Sequence, residues 1–275
     1  MIGAEGPCRN LLLNSLSPED FAFLEPRLER VPLTRGDVIA SPDEEVSSVC
    51  FPECGVTSVA DVWPSGKRVE VALIGREGMT NSQILLGVDQ APHETLVQIG
   101  GESALRLSRE DLRDFCRHSP AAMALFLRYI HALGLQTSRT LSSNLLDSVE
   151  KRLARWLLMC HDRVDGDEID LNHEHIGRML GVRRATITDT VHVLQGTGAI
   201  RNTRGHFVVR DRPGLEGLAG DSYGFAETHY RAFVAPFGKT APEAVRQASA
   251  YVTVPHEGSC RSGRNERTSQ FVATR

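Results

Sequence analysis

The stretch from residue 171 to residue 209 constrains this chain more than any other part of it. It opens LNHEHIGRMLGVRRATITD over residues 171–189. Asn172 suits a helix N-cap, and Glu174 then sits in the first turn, at the positive end of the helix dipole. Ile176, Met179 and Leu180 form the buried stripe of that helix. Gly181 supplies the left-handed backbone a sharp turn needs, and Val182 is the apolar plug after it. A second helix is expected from about residue 184 to 195, with Ile187, Val191 and Leu194 inward at steps of four and three. Two short helices joined across a glycine turn are the helix-turn-helix pattern.

The outward face of the second helix carries Arg183, Arg184, Thr186, Thr188, Asp189 and His192. In this motif the first turns of the second helix enter the major groove of DNA. Arginine there can donate two hydrogen bonds to guanine, and threonine can contact a thymine methyl group. These six residues are the candidate base readers. After Gly196 and Gly198, residues 199–209 read as a β-hairpin with Arg204 and Gly205 near its tip and Ile200, Phe207 and Val209 packing inward. Such a hairpin is a wing. Arg201, Arg204 and His206, with Asn172 and His173 at the start of the first helix, are candidates for the DNA backbone, where contacts orient a protein without reading sequence.

Charge supports a local rather than a general nucleic-acid surface. The chain has 31 basic and 35 acidic residues, a formal net charge of −4. Yet residues 176–212 hold seven arginines (Arg178, Arg183, Arg184, Arg201, Arg204, Arg210 and Arg212), no lysine, and two acids, Asp189 and Asp211, or 7 − 2 = +5. A basic stretch in an acidic chain marks a confined phosphate-facing surface.

The 275 residues suggest about two domains. Ser17, Pro18, Glu19 and Asp20 make a good helix start within residues 11–28. From about residue 31 to 107, short Val-, Ile- and Thr-rich runs alternate with Gly, Pro, Asp and Ser clusters, the pattern of a sandwich or barrel; residues 56–62 and 69–74 are its clearest strands. Ser108 and Asp111 then form a capping box, and Ser119-Pro120 starts a long amphipathic helix. Met123, Phe126, Ile130, Leu133, Thr137 and Leu141 recur at steps of three and four, close to a heptad seam. This helix either packs on its own β domain or pairs with a second copy. Pairing is favoured because a second stripe, Leu125, Leu127 and Leu135, is free for the intramolecular contact. Ser142, Ser143 and Asn144 look like a hinge, and residues 145–161 form a further amphipathic helix.

At these residues the sequence resembles the Crp/Fnr family of bacterial transcription regulators, over about residues 10–224. The order of parts matches: a β-roll similar to a cyclic-nucleotide-binding domain, a dimer helix, a hinge and a winged helix-turn-helix. Phrases such as FPECG (51–55), GREGM (75–79) and SVEKRLARWLL (148–158) resemble a branch distinct from the cyclic-AMP receptor. The implied fold is α+β, divided as 10–118 β-roll sensor, 119–144 dimerisation helix and hinge, 145–224 DNA-binding domain, and 225–275 a tail without stable structure, given its mixture of Gly, Pro, Ser, Thr and charge. The resemblance implies a homodimer on a near-palindromic double-stranded DNA site, with an effector in the β-roll.

Two departures from the family pattern alter those expectations. Cyclic-nucleotide members hold the phosphate with an arginine beside Ser or Thr, but here that stretch reads His93-Glu94-Thr95. A cyclic phosphate needs a positive partner, so cyclic AMP is not expected to bind. The corresponding pocket region is Arg76, Glu77, Gly78, Asn81, Ser82 and Gln83, and Arg76, the nearest cation, reads as a solvated turn residue. In the recognition helix Ala185 replaces a glutamate and Asp189 an arginine, so the target should differ from the cyclic-AMP receptor consensus.

The remaining expectations are negative or general. The six cysteines (Cys8, Cys50, Cys54, Cys116, Cys160, Cys260) form no metal-binding pattern, and no cofactor is expected. His173 and His175, two apart on a helix, face different ways, and nothing indicates an enzyme. No signal peptide or membrane-length apolar run is read, which places the chain in the cytoplasm. Expected partners are DNA, a second copy, RNA polymerase and an unidentified small molecule. The competing reading is a sensing module that acts through protein contacts.

Overall fold

A computed structural model of the chain describes residues 8–203 and 205–239. Ser17 Oγ accepts from the Asp20 amide at 3.0 Å, starting helix α1 (Pro18–Leu24). Seven antiparallel strands follow: β1 (Glu29–Leu33), β2 (Val38–Ala40), β3 (Ser48–Pro52), β4 (Val56–Val62), β5 (Arg68–Ile74), β6 (Glu94–Ile99) and β7 (Gly101–Ser108). They form two sheets, ordered β1-β7-β3 and β2-β6-β4-β5. Side-chain alternation divides the strands between two apolar layers. On β3, Val49 and Phe51 join a core with Leu105 and Leu107, while Cys50 between them packs with Leu33, Val97 and Ala104.

The expected caps on the next helices are present. Ser108 Oγ accepts from the Asp111 amide at 3.0 Å ahead of α2 (Arg109–His118), and Ser119 Oγ from Ala122 at 3.1 Å ahead of α3 (Pro120–Leu146). The hinge is later than the serine cluster suggests. Ser142 Oγ donates to the Ser138 carbonyl and Thr140 Oγ1 to that of Gln136, at 3.1 and 3.0 Å, so these polar residues stay inside the helix by bonding back one turn. The break falls at Asp147 and Ser148, where Ser148 caps α4 (Val149–His161).

The α3 seam is rotated from its expected position. Phe126 is fully buried in its own protomer, against Phe51 and Phe115 at ring separations of 6.2 and 6.1 Å, and Leu133 packs against the same core. Leu127, assigned to the intramolecular stripe, is instead 41% exposed, with Leu141 at 63% and Leu145 at 76%. Met123, Ile130 and Thr137 are partly buried at the margin. Two offset heptad readings share those marginal positions; aromatic packing against β3 and α2 decides which one turns inward.

Helix α4 is buried without interruption from Leu153 to His161, as a helix must be when it has neighbours on every side. Its residues share one core with Val56, Leu73 and Ile99 of the roll and with Ile176, Ile187, Leu194 and Phe207 beyond it. Polar groups at this junction are paired. Trp156 Nε1 donates to Glu70 Oε1 at 2.6 Å, and Ser58 Oγ donates to Glu70 Oε2 at 2.7 Å. Burial pushes the Glu70 carboxyl up to about 7, against the lowering effect of its bonds to Ser58 and Trp156. The folded state therefore holds a proton that the unfolded chain releases near pH 4.5. Stability from this group is full below that value and is lost as pH rises towards 7, by about 3 kcal/mol at one unit per 1.36 kcal/mol. Urea midpoints should fall across that window and flatten in Glu70→Gln; an unchanged slope in the variant would assign the dependence elsewhere.

The last described elements are β8 (Glu168–Asp170), α5 (His173–Leu180), α6 (Arg184–Gly196), β9 (Ile200–Thr203), β10 (His206–Val209), α7 (Arg212–Ala219) and α8 (Phe225–Phe233). The expectation of an unstructured tail from residue 225 is corrected for its first part. Helix α8 lies along α3, with Arg128 Nε donating to the Phe233 carbonyl at 2.8 Å, and Tyr230 is buried with its hydroxyl donating to the Glu77 carbonyl at 2.5 Å. Tyr230 and Phe237 supply the apolar anchors that a composition count dilutes. Residues 240–275 lie outside the described residues.

Candidate nucleic-acid interface

Helices α5 and α6 meet as the sequence pattern requires. Asn172 Oδ1 accepts from the His175 amide at 2.9 Å, and Gly181 closes α5 in the left-handed conformation at φ +65°. Val182 N then donates to the Gly177 carbonyl at 2.9 Å. Gly177 is a contributor the sequence reading passed over: a Cβ there would lie 2.9 Å from the Val182 carbonyl oxygen. Gly177→Ala should force the two helices apart and cost about 1–3 kcal/mol, read as a lowered urea midpoint. A wild-type midpoint would show that the turn relaxes freely.

The candidate base readers divide into two groups. Arg183, the N-cap residue of α6, and Arg184, its first residue, are exposed, as are Asp189 and His192 on later turns. Thr186 is half-buried. Thr188 is committed within the fold: its Oγ1 lies 3.0 Å from His173 Nδ1 and donates to the Arg184 carbonyl at 3.2 Å. His173 in turn places Nε2 3.2 Å from Asn202 Oδ1 on β9 and packs its ring on Phe207. Thr188 and His173, read from the sequence as DNA contacts, thus already spend hydrogen bonds within the fold. They tie the recognition helix, the first helix and the wing into one piece. Asn202, which had no role in the sequence reading, completes the chain.

The wing is a three-stranded sheet ordered β8-β10-β9. Strand β9 pairs with β10 through Asn202↔Phe207 and Ile200↔Val209. Phe207 and Val209 face the core, while Arg201 and His206 are exposed on the outer side. Arg204 lies outside the described residues. A groove of about 420 Å³ runs between α5, the start of α6 and the wing, bordered by Asn172, His173, Arg184, Asn202 and Gly205. Asn172 is exposed at its rim, although its oxygen is occupied as the helix cap.

Part of the sequence charge count does not belong to this face. Arg212 is mostly buried and pairs with Asp162 and Glu216 at 2.8 and 2.9 Å. Arg178 pairs with Glu174 one turn earlier. Among the described residues, the arginines exposed to solvent at the front of α6 and on the wing are Arg183, Arg184 and Arg201, with Arg210 exposed directly after β10.

The candidate effector residues are scattered. Arg76 donates to Asp165 Oδ1 at 2.9 Å, so it is not the free turn residue expected. Glu77 is buried against Arg163 at 2.7 Å, and Gly78 lies under the Tyr129 ring. A buried ion pair spanning 86 residues has no local sequence signature. Asn81, Ser82 and Gln83 do line a cavity in the roll, with His93. No group of three or more His, Cys, Asp or Glu suited to a metal occurs among the described residues, and no described helix is long and apolar enough to cross a membrane.

Comparison with known proteins agrees with this architecture. Residues 151–218 match the Crp-like helix-turn-helix domain. Among solved structures, FixK2 from Bradyrhizobium japonicum is 17% identical with a TM-score of 0.59, over 70% of this chain and 98% of that one. A CRP-family transcriptional regulator from Thermus thermophilus is 16% identical with a TM-score of 0.54, over 70% and 97%. A mutant of CooA from Carboxydothermus hydrogenoformans is 15% identical with a TM-score of 0.56, over 77% and 96%. No curated protein matches by sequence. The resemblance read from the sequence is borne out, in both the helix-turn-helix half and the α+β fold.

Proposed function

We propose that this chain, a Crp/Fnr-type regulator by its Crp-like helix-turn-helix domain and its fold, binds a specific DNA sequence as a homodimer and adjusts transcription in response to a small molecule held in its β-roll. The observation that carries the DNA reading is the exposed Arg183-Arg184 pair at the front of α6. It stands beside a wing whose placement is fixed through the contacts among Thr188, His173 and Asn202. The first turn of α6 is the part that enters the major groove, and two copies would meet half-sites one helical turn, about 34 Å, apart. RNA polymerase is the further partner of such a regulator, and the cytoplasm its compartment.

Footprinting on the DNA upstream of its own coding region, at low salt, tests this directly. Failure to bind that DNA or random DNA would leave the protein-contact reading in its place. Within the site, Arg184→Ala should weaken specific binding by about 1–3 kcal/mol and relax one base position, while Arg201→Ala should weaken all sequences alike and reduce the salt dependence. Equal losses on specific and random DNA for Arg184→Ala would contradict the placement of the reading helix.

The exposed apolar face of α3 supports the homodimer. Its outer face carries Met123, Leu127, Ile130, Gly134, Leu141 and Leu145, and the position a Cβ would take at Gly134 is open. Helix α8 covers one flank of α3 through Arg128, His131 and Arg139, and Leu127, Leu141 and Leu145 remain exposed.

A further inference from the structure

We infer that the β-roll takes a neutral, ring-sized molecule with a hydrogen-bonding substituent, rather than a nucleotide or another phosphate. This names the chemical class of the signal proposed above and rests on that sensing role. The site is the cavity beside Gln83, about 170 Å³ in volume. A cavity of roughly 150 Å³ with aliphatic walls is enough for benzene, so this one suits a single ring with a small polar group.

The lining sets the chemistry. Val59, Ile74, Leu86 and Leu133 supply apolar walls. Two polar atoms of lining residues are left over: Gln83 Nε2 and His93 Nδ1 have no hydrogen-bond partner and are closed to solvent, so an occupant engages them by turning these side chains into the cavity. Buried nitrogens of this kind lose water without replacement unless a ligand provides it. A carbonyl oxygen would accept from Gln83, and a hydroxyl or amide group would satisfy His93 in either tautomer. A neighbouring polar residue is already engaged, since Asn81 Nδ2 donates to the Ser48 carbonyl at 3.0 Å.

Among the described residues, no lysine or arginine lines the cavity, so an anionic phosphate would enter it without a counter-charge. Arginines around the roll are committed elsewhere: Arg68 to Glu94, next to the lining residues His93 and Thr95, Arg76 to Asp165 and Arg163 to Glu77. An occupant would also be coupled to the rest of the molecule. Leu133 belongs to α3 and borders the buried Glu77 and Arg163 junction as well, so filling the cavity bears on the helix that carries the pairing face.

Calorimetric titration of the full chain tests the assignment, with benzamide as the probe and benzoate, cyclic AMP and benzene as comparators. Benzamide should bind at least about tenfold more tightly than benzoate or cyclic AMP. Gln83→Leu, which keeps the volume but removes the amide, should weaken benzamide about tenfold and leave benzene unchanged. Cyclic AMP or benzoate binding as tightly as benzamide, no saturable binding of benzamide, or benzamide affinity unaffected by Gln83→Leu would each overturn it. Should that variant not fold, His93→Phe applies the same criterion from the other polar end. Footprinting of the ligand-free chain is read separately. Its failure would remove the regulator reading, whereas intact footprints without benzamide binding would remove only this ligand class.

Discussion

Leu127→Arg combined with Leu141→Arg is expected to leave a folded monomer that has lost most of its affinity for a full operator. Both side chains are exposed, at 41% and 63%, on the face of α3 turned away from the roll, so neither substitution opens a cavity. The steps from Met123 through Leu127, Ile130 and Gly134 to Leu141 and Leu145 fit a heptad seam. Two arginines opposite two arginines would bring desolvated like charges together at its centre. Linking two half-site contacts through one dimer is worth on the order of 10²–10⁴ in affinity, and that factor is what the variant should lose. Sedimentation equilibrium should report a monomer, footprinting should fail on the palindrome, and affinity for an isolated half-site should not change. A variant that stays dimeric would move the interface off α3.

That seam also shows where the sequence stops being legible. Period alone cannot separate the stripe through Phe126 and Leu133 from the one through Leu127 and Gly134, because both follow steps of three and four. The choice rests on Phe51 and Phe115, residues distant in the chain that hold Phe126 inward. By contrast, the helix-turn-helix is readable because its determinants are local. The Asn172 cap, the left-handed Gly181 and the inward Ile187, Val191 and Leu194 lie within 23 residues of one another.

Polar side chains follow the same division. Exposed Arg183 and Arg184 announce themselves by position on a helix. Thr188 and His173 carry the residue types expected of DNA contacts, yet each bonds to the other across 15 residues. The effector region misleads for a related reason. A Gly-Arg-Glu-Gly turn resembles a solvated loop until the Glu77 partner, Arg163, is placed beside it by the packing of α4. Helix α8 is hidden because two aromatic anchors, Tyr230 and Phe237, suffice to dock a segment that is otherwise polar.

The pairing of Arg163 with Glu77 is where the roll, α4 and the C-terminal segment depend on one another, and Arg163→Met is expected to cost about 3–5 kcal/mol, the range for removing one partner of a buried pair. Both side chains are almost wholly enclosed, at 2% and 4% exposure. Burial alone would pull the guanidinium pKa down, but Glu77 and Asp162 hold it above its ordinary value. Arg163 also donates to the Met159 carbonyl at 2.7 Å and lies 5.2 Å from the centre of the Phe237 ring. The variant would leave the buried Glu77 carboxylate without its counter-charge, with the Gly75 amide at 3.2 Å still donating to it, and would loosen Phe237 with it. Adding Glu77→Leu removes the stranded charge, so the double variant should recover much of the loss. The Leu73 carbonyl keeps a donor in Gln136 Nε2 at 3.1 Å, while the Met159 carbonyl loses the donor Arg163 provided and the buried Gly75 amide loses its Glu77 acceptor, and recovery should therefore fall short of wild type. Urea unfolding of the three variants, followed through Trp156 fluorescence, measures each difference. Hydrogen exchange should show α8 opening before α4 in the single variant. A cost below about 1 kcal/mol, the scale of an exposed pair, would mean that the junction is wet and that the two halves are held by the apolar core around α4 alone.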